Sequence, residues 1–239
     1  MASYRRIYAI GDIHGRADLL DGIVRQIQSD LAGAGGDDCL TVTLGDYVDR
    51  GPDSRGVIER LLRNPFPTHC VPLKGNHEQM FEAFLYDAAI GPLWQSNGGL
   101  ATLRSYGVPV GPLVADGHAD SIESYEDACR ALRAAIPREH LEFVINLKSS
   151  LSLGRYFFCH AGVRPGVPLD RQSEEDLLWI RDEFLNSVTD FGKLIVHGHT
   201  PAERPEVRPN RINIDTGAFA TGRLTCLVLD GESRRFLST

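Results

Sequence analysis

Long apolar runs are missing from this chain. No stretch approaches the ~18 consecutive apolar residues of a membrane-spanning helix. The N-terminus, MASYRRIYAIGDIHG, carries two arginines but only a four-residue apolar run, so no secretory leader is expected there. Basic charge is also scarce: 25 basic residues face 32 acidic ones, a net charge of −7. That balance opposes a nucleic-acid-binding surface, which would carry a basic stripe. It leaves room for a local basic pocket around a small phosphate. Paired thiols are missing too. The five cysteines, Cys39, Cys70, Cys129, Cys159 and Cys226, are odd in number and form no CxxC. They are expected as buried free thiols in a reducing compartment, the cytoplasm. Repeats, low-complexity tracts and linkers are absent as well. What remains is ordinary globular material, 42% hydrophobic and 24% charged. Its 239 residues suffice for one large domain.

Strand-like and helix-like segments alternate in the first part. Residues 5–10, 40–44 and 69–73 read as strands, and 54–62 and 78–85 as helices. Residues 16–31 read as an amphipathic helix with Leu19, Leu20, Ile23, Val24, Ile27 and Leu31 on one face. Asp53 or Ser54 is the expected cap of the second helix. Such alternation means βαβ units and parallel strand pairs, hence an α/β fold. Residues 86–140 break the rhythm with Gly-Pro pairs and an Asn97-Gly98-Gly99 turn. They are expected to form an insertion covering the active-site mouth, with a helix near 122–135, inside a single domain spanning 1–239. A helix is expected at 139–148. From Leu151 the chain is β-rich, with strands at 156–159, 193–196, 212–215 and 224–230. This predicts a second sheet packed on the first, with helices outside.

Five short segments carry the chemistry: GDIHG at 11–15, GDYVDRG at 45–51, GNHE at 75–78, CHAG at 159–162 and HGHT at 197–200. Each sets Asp, Asn or His beside glycine, and most follow an apolar β-like run. Strand carboxyl ends are where α/β proteins place their sites. Oxygen and imidazole ligands without thiolate suit divalent ions such as Mn, Fe, Zn or Ni. Asp12 and His14 share one tight turn. Asp46 has lone pairs on both sides and can bridge two ions. Asn76 offers a neutral oxygen, and His160 and His199 offer imidazoles. Each segment alone could be an ordinary turn; together and in this order they point to a dinuclear centre.

The ordered set resembles the calcineurin-like metallophosphoesterases, and more closely the bacterial and phage branch of the phosphoprotein phosphatase serine/threonine phosphatases. The runs WQSNGGLATLRSYG and INIDTGAFATGRLTCLVLD are similar to the same branch. The resemblance implies two packed mixed β-sheets flanked by helices, a four-layer αββα sandwich. It implies two divalent ions, Mn foremost. Asp12, His14 and Asp46 would hold the first ion, and Asp46, Asn76, His160 and His199 the second. It further implies attack on phosphorus by a hydroxide bridging the metals. His77 would protonate the leaving alkoxide, Asp49 would orient and charge that imidazole, and Arg50 would clamp the phosphoryl oxygens. Arg181 is the candidate for a second clamp; the alternative is a helix-surface arginine paired with Asp182 or Glu183. Glu78 is expected to hold its own loop, and His197 to be a core or supporting residue. Surface or structural roles are expected for His69, His118 and His140.

Departures from relatives narrow the reading. Many nuclease members end in GHxH, but here the last position is Pro201. Symmetrical diadenosine tetraphosphate hydrolases typically lack the counterpart of Asp49 and have Asp after GNH; this chain keeps Asp49 and Glu78. Eukaryotic phosphatases usually have Arg where this chain has Met80. The expected substrate is therefore a phosphoprotein carrying phosphoserine or phosphothreonine, with phosphotyrosine open. The alternative is a diadenosine polyphosphate or another small phosphorylated metabolite. No nucleic acid or membrane partner is expected.

Overall fold

The computed structural model describes residues 4–32, 38–114 and 122–239. Its first half contains strands β1 (Arg6–Ile10), β2 (Cys39–Thr43) and β3 (His69–Pro72), paired in parallel. Helices α1 (Ala17–Asp30) and α2 (Ser54–Leu62) connect them. Asp53 caps α2 by accepting the Gly56 N–H. After β3 comes α3 (Asn76–Tyr86), which begins two residues before its expected start, so Asn76 and His77 lie in its first turn. Then follow α4 (Gly91–Ser96), α5 (Gly99–Ser105), α6 (Gly111–Val114), α7 (Ile122–Ala135) and α8 (Arg138–Ile145).

The second half supplies β4 (Ser150–Leu153), β5 (Tyr156–Cys159), β6 (Leu194–His197), β7 (Glu206–Val207), β8 (Arg211–Asn213), β9 (Thr225–Asp230) and β10 (Ser233–Ser238). Short helices α9 (Glu174–Trp179), α10 (Asp182–Leu185) and α11 (Ala218–Thr221) lie among them. Two mixed five-stranded sheets result, ordered β10-β9-β1-β2-β3 and β4-β5-β6-β8-β7. The sequence pattern did not predict β4, β7 or β10 as separate strands. β7 has two residues, and β10 is a polar edge strand, SRRFLS.

Each sheet is buried on both faces. Ile7, Ala9, Val42, Phe158, Val196 and Ile212 fill the space between the sheets. Tyr8 and Ile10 turn outward to Leu20, Ile23 and Ile27 of α1. On the other side Phe157, Cys159 and Ile195 meet Leu177 and Phe184. Strands with two buried faces read as continuous apolar runs, as IYAI does. The layers are helix, sheet, sheet, helix. Residues 86–140 are mostly helical and share an apolar cluster with α2 and α3: Trp94, Leu103, Tyr106 and Leu132 pack with Ile58, Phe81 and Phe84. Tyr106 also bonds the buried His140 through Nδ1 at 2.9 Å, a structural use of that histidine. His69 is exposed, and His118 lies outside the described residues.

The loop after β2 is held by one side chain. Glu78 Oε2 accepts the N–H groups of Asp46 at 2.8 Å and Gly75 at 2.9 Å. Its Oε1 accepts those of Tyr47 at 2.7 Å and Val48 at 3.2 Å. The start of α3 and the β2 loop are thereby fused. Gly75 is required by the closeness of this contact, since a Cβ there would stand 2.2 Å from Asp46 Oδ1. Replacing Glu78 by Gln would turn an amide N–H₂ toward backbone donors. Glu78→Gln should cost about 3 kcal/mol, a fall of roughly 6–12 °C in Tm for a chain of this size. An unchanged melting curve would show that the four bonds are not what holds the loop.

Candidate metal centre

The site forms at one rim, where six strands end. Asp12 and His14 follow β1, Asp46 follows β2, and Asn76 follows β3. From the other sheet, His160 follows β5, His199 follows β6, and Asp215 follows β8. Among non-glycine residues, His14, Asp46, Asp49, Arg50 and His199 all have positive φ, between 44° and 70°. Such backbone is strained for L-residues and persists where the surroundings over-determine it. Here the fold fixes the side chains' directions at the expense of local comfort.

Asp46 stands between two groups. Its Oδ2 lies 3.3 Å from His14 Nε2, and its Oδ1 lies 3.3 Å from His160 Nε2. Asn76 Oδ1 lies 2.8 Å from His160 Nε2 and 2.9 Å from His199 Nδ1. The tautomers follow from the far side of each ring. His160 Nδ1 is 2.9 Å from the Leu44 carbonyl and His14 Nδ1 is 2.9 Å from the Val48 carbonyl, so both Nδ1 atoms donate. Their Nε2 lone pairs then face carboxylate and amide oxygens with no proton between them. Burial pushes His14 down to about 3 and also lowers His160 and His199, so these imidazoles are neutral. Converging lone pairs in a buried site are what a cation satisfies.

Asp12 is placed differently. Its Oδ2 accepts the His199 N–H at 3.0 Å, and its buried Oδ1 has no hydrogen-bond partner. Burial, then Asp215 and Asp46, raise its pKa well above the carboxylate range. Asp215, which the sequence reading missed, is pushed up to about 6, chiefly by burial. Its signal was present: an acid beside Thr-Gly, after the apolar INI, repeats the pattern of the other segments. The donor set fits two divalent ions. Two three-residue clusters share Asp46, and Asp12 carries an orphaned carboxylate oxygen close enough for the Asp46 charge to raise its pKa. The tight clusters are His14–Asp46–His77 and Asp46–His160–His199.

His77 is distinct from the others. Its Nδ1 is 2.7 Å from Asp49 Oδ2, while its Nε2 is buried without a hydrogen-bond partner, 3.8 Å from Asp46 Oδ2. Burial alone would lower its pKa, but Asp46 and the Asp49 hydrogen bond outweigh that and raise it. Trp94 Nε1 and Thr102 Oγ1 also reach Asp49, at 2.8 and 2.6 Å. Sequence reasoning did not single out these two residues, although both lie in the WQSNGGLATLRSYG run. Contact with the buried side of Asp49 is thus one thing residues 86–140 do.

Arg50 lies on the exposed side. Its NH1 is 2.9 Å from His14 Nε2, and its guanidinium lies 4.9 Å from the Phe219 ring centroid. To serve a phosphoryl group, it must release that lone pair. Arg181 is exposed, and its guanidinium has no ion pair among the described residues. Glu183, one of its possible neighbours, pairs with Arg164 instead. The positive charge of Arg181 contributes a little to lowering His160 and His199, so it stands within electrostatic reach of those imidazoles. His197 is buried away from the clusters, against Phe184 and Arg211. All five cysteines are free thiols. Among the described residues, no helix is long and apolar enough to cross a membrane.

The family model for calcineurin-like phosphoesterases matches residues 5–224. The chain belongs to that family. Its members are metal-dependent hydrolases of phosphate esters, so divalent ions belong to this centre as well. Serine/threonine-protein phosphatase 2 of Escherichia coli is 30% identical over 238 residues, 93% of this chain and 92% of that protein. The asymmetrical bis(5'-nucleosyl)-tetraphosphatase of Anoxybacillus flavithermus is 27% identical over 202 residues, covering 77% of this chain and 73% of that one. The fold matches the crystal structure of a putative diadenosine tetraphosphatase with a TM-score of 0.65, at 22% identity, covering 98% of this chain and 94% of that chain.

The raised carboxyls give the centre a pH signature. In the metal-free protein the folded state holds protons that the unfolded chain would release at lower pH. The stability this contributes is complete in acid and fades as pH rises through about 6, the folded value of Asp215. A divalent ion needs those carboxylates deprotonated. Adding Mn should therefore raise Tm strongly at pH 7 and much less at pH 5, read by thermal-shift fluorimetry. A stabilisation independent of pH would show that Asp12 and Asp215 do not adjoin the ions.

Proposed function

We propose that this protein is a phosphomonoesterase that hydrolyses phosphoserine and phosphothreonine in proteins, phosphotyrosine being a further candidate. Its two ions are Mn by preference, with Fe, Zn and Ni alternatives for the same oxygen and imidazole donors. Asp12, His14 and Asp46 hold one ion, and Asp46, Asn76, His160 and His199 hold the other. When bound, such ions make water nucleophilic at neutral pH and draw charge from the phosphoryl oxygens. Arg50 and Arg181 orient the phosphoryl group, each as a planar fork suited to two oxygens. His77 carries a proton on Nε2 and gives it to the leaving oxygen, while Asp49 stabilises the imidazolium. The five free thiols suit the cytoplasm.

The carrying observation is His77. One ring nitrogen is tied to a buried carboxylate, and the other is unpartnered beside Asp46. Such a dyad is useful where the leaving group is a strongly basic alkoxide, as in phosphoserine. A polyphosphate leaving group is stable without a proton and has little use for it. Similarity to a bis(5'-nucleosyl)-tetraphosphatase supports the second reading, hydrolysis of dinucleoside polyphosphates. Similarity to a serine/threonine-protein phosphatase over more of the chain supports the first.

Two variants test this. With a phosphoserine peptide, His77→Asn should lose roughly 10²–10⁴ in rate; with p-nitrophenyl phosphate the loss should be clearly smaller, at unchanged metal content. Equal losses, or a missing ion, would make His77 a metal ligand. Arg181→Ala should weaken inhibition by inorganic phosphate about 10-fold, the loss of a charge-assisted contact. Unchanged inhibition would leave Arg181 on the surface. Faster turnover of diadenosine tetraphosphate than of phosphopeptides by the parent protein would favour the second reading.

A further inference from the structure

The protons around Asp49 can be assigned one by one. An indole N–H only donates, so Asp49 Oδ2 accepts from Trp94 Nε1 at 2.8 Å. The same oxygen faces His77 Nδ1 at 2.7 Å. With Asp49 as the acceptor at both contacts, His77 Nδ1 is the second donor to this oxygen. Asp49 Oδ1 accepts from Thr102 Oγ1 at 2.6 Å. Ser54 Oγ lies 2.9 Å from Thr102 Oγ1 and donates to it, because the Thr102 proton is already committed. The Asp49 N–H closes the ring, 2.8 Å from Thr102 Oγ1 and 3.0 Å from Ser54 Oγ. With Asp49 accepting at both oxygens every one of these donors is satisfied, and all of these side chains are buried.

Trp94 and Thr102 come from α4 and α5, and the turn between them is pressed onto the same loop. The Gly98 carbonyl accepts the Arg50 N–H at 3.2 Å. Gly98 has φ 97°, and a Cβ there would stand 2.8 Å from Arg50 Cγ and 2.9 Å from its N. A Cβ on Gly99 would meet the Trp94 ring at 2.5 Å. The hairpin thus braces Asp49 and Arg50, both held at positive φ.

We propose that Trp94 and Thr102 are positioning residues that hold the Asp49 carboxyl group against His77 Nδ1 and so aim Nε2 at the reacting group. Trp94 is the stricter of the two, since a hydroxyl can rotate into a donor or an acceptor and an indole cannot. The kinetic half of this inference rests on His77 as proton donor; the placement of the Asp49–His77 pair does not.

The test uses Trp94→Phe, Thr102→Val and Thr102→Ser in the full chain. In the diamagnetic zinc-loaded protein, the His77 Nδ1–H proton should resonate far downfield, as expected for a short hydrogen bond to a carboxylate. Trp94→Phe and Thr102→Val should each move it upfield. With Mn, Trp94→Phe and Thr102→Val should each lose about 10-fold or more on a phosphoserine peptide, within the general-acid factor, and clearly less on p-nitrophenyl phosphate. Thr102→Ser keeps the hydroxyl and should restore the alkyl-to-aryl ratio. An unchanged His77 Nδ1–H resonance in Trp94→Phe and Thr102→Val overturns the inference. So do equal losses on both substrates while His77→Asn itself shows the substrate dependence. If His77→Asn shows none, the proposed acid role falls and the Nδ1–H resonance alone decides. If Trp94→Phe fails to fold by circular dichroism, Thr102→Val carries both measurements.

Discussion

Four backbone N–H groups converge on the buried carboxylate of Glu78, and the geometry of the site depends on that convergence. The β2 loop carries Asp46, Asp49 and Arg50 in left-handed backbone, a conformation that is uncommon for L-residues and suits Arg50 least. The first turn of α3 carries Asn76 and His77. Glu78 binds loop and helix into one body, so residues from two separate segments keep a common frame. Its neighbour Gly75 makes the contact possible by having no side chain. Glu78 grips the backbone of Asp46 and its neighbours, and so sets where the candidate ligands stand.

The same logic extends outward. His160 is tied to the first sheet through the Leu44 carbonyl, and His199 through its backbone N–H to Asp12. These bonds cross the interface between the sheets, so the centre is assembled from both layers. Neutral imidazoles and crowded carboxylates leave a buried pocket rich in lone pairs. A chain of net charge −7 thereby presents a candidate cation site at its rim, with the Arg50 guanidinium beside His14.

Much of this was legible in the sequence for a physical reason. Strands buried on both faces appear as apolar runs, and ligand residues cluster at their ends beside glycines that allow tight turns. Asp12, His14, Asp46, Asn76, His160 and His199 could be found by that pattern. Trp94 and Thr102 could not, because their importance lies in contacts 45 and 53 positions away in sequence. A tryptophan in an apolar helix reads as core, and Trp94 is core on every side except its one N–H. Phe219 reads as an exposed aromatic until Arg50 is placed over it. Asp215 repeats the motif pattern and was still overlooked, because the apolar pattern placed it inside a strand at 212–215, whereas β8 ends at Asn213 and leaves Asp215 beyond the strand end. β10 has no apolar periodicity because it lies at a sheet edge.

The chain has only two tryptophans, and both stand against the centre. Trp94 bonds the carboxylate that serves His77. Trp179 donates to Gln79 Oε1 at 2.7 Å, with its ring 6.2 Å from that of His199. Indole emission from this protein therefore has no background from elsewhere in the fold. One fluorophore looks at the Asp49–His77 side of the site and the other at an imidazole of the opposite sheet. Ions with unpaired electrons quench nearby indoles, and closed-shell ions do not. The natural light of the molecule can thus report occupancy and identity of the ions, without a label and without turnover.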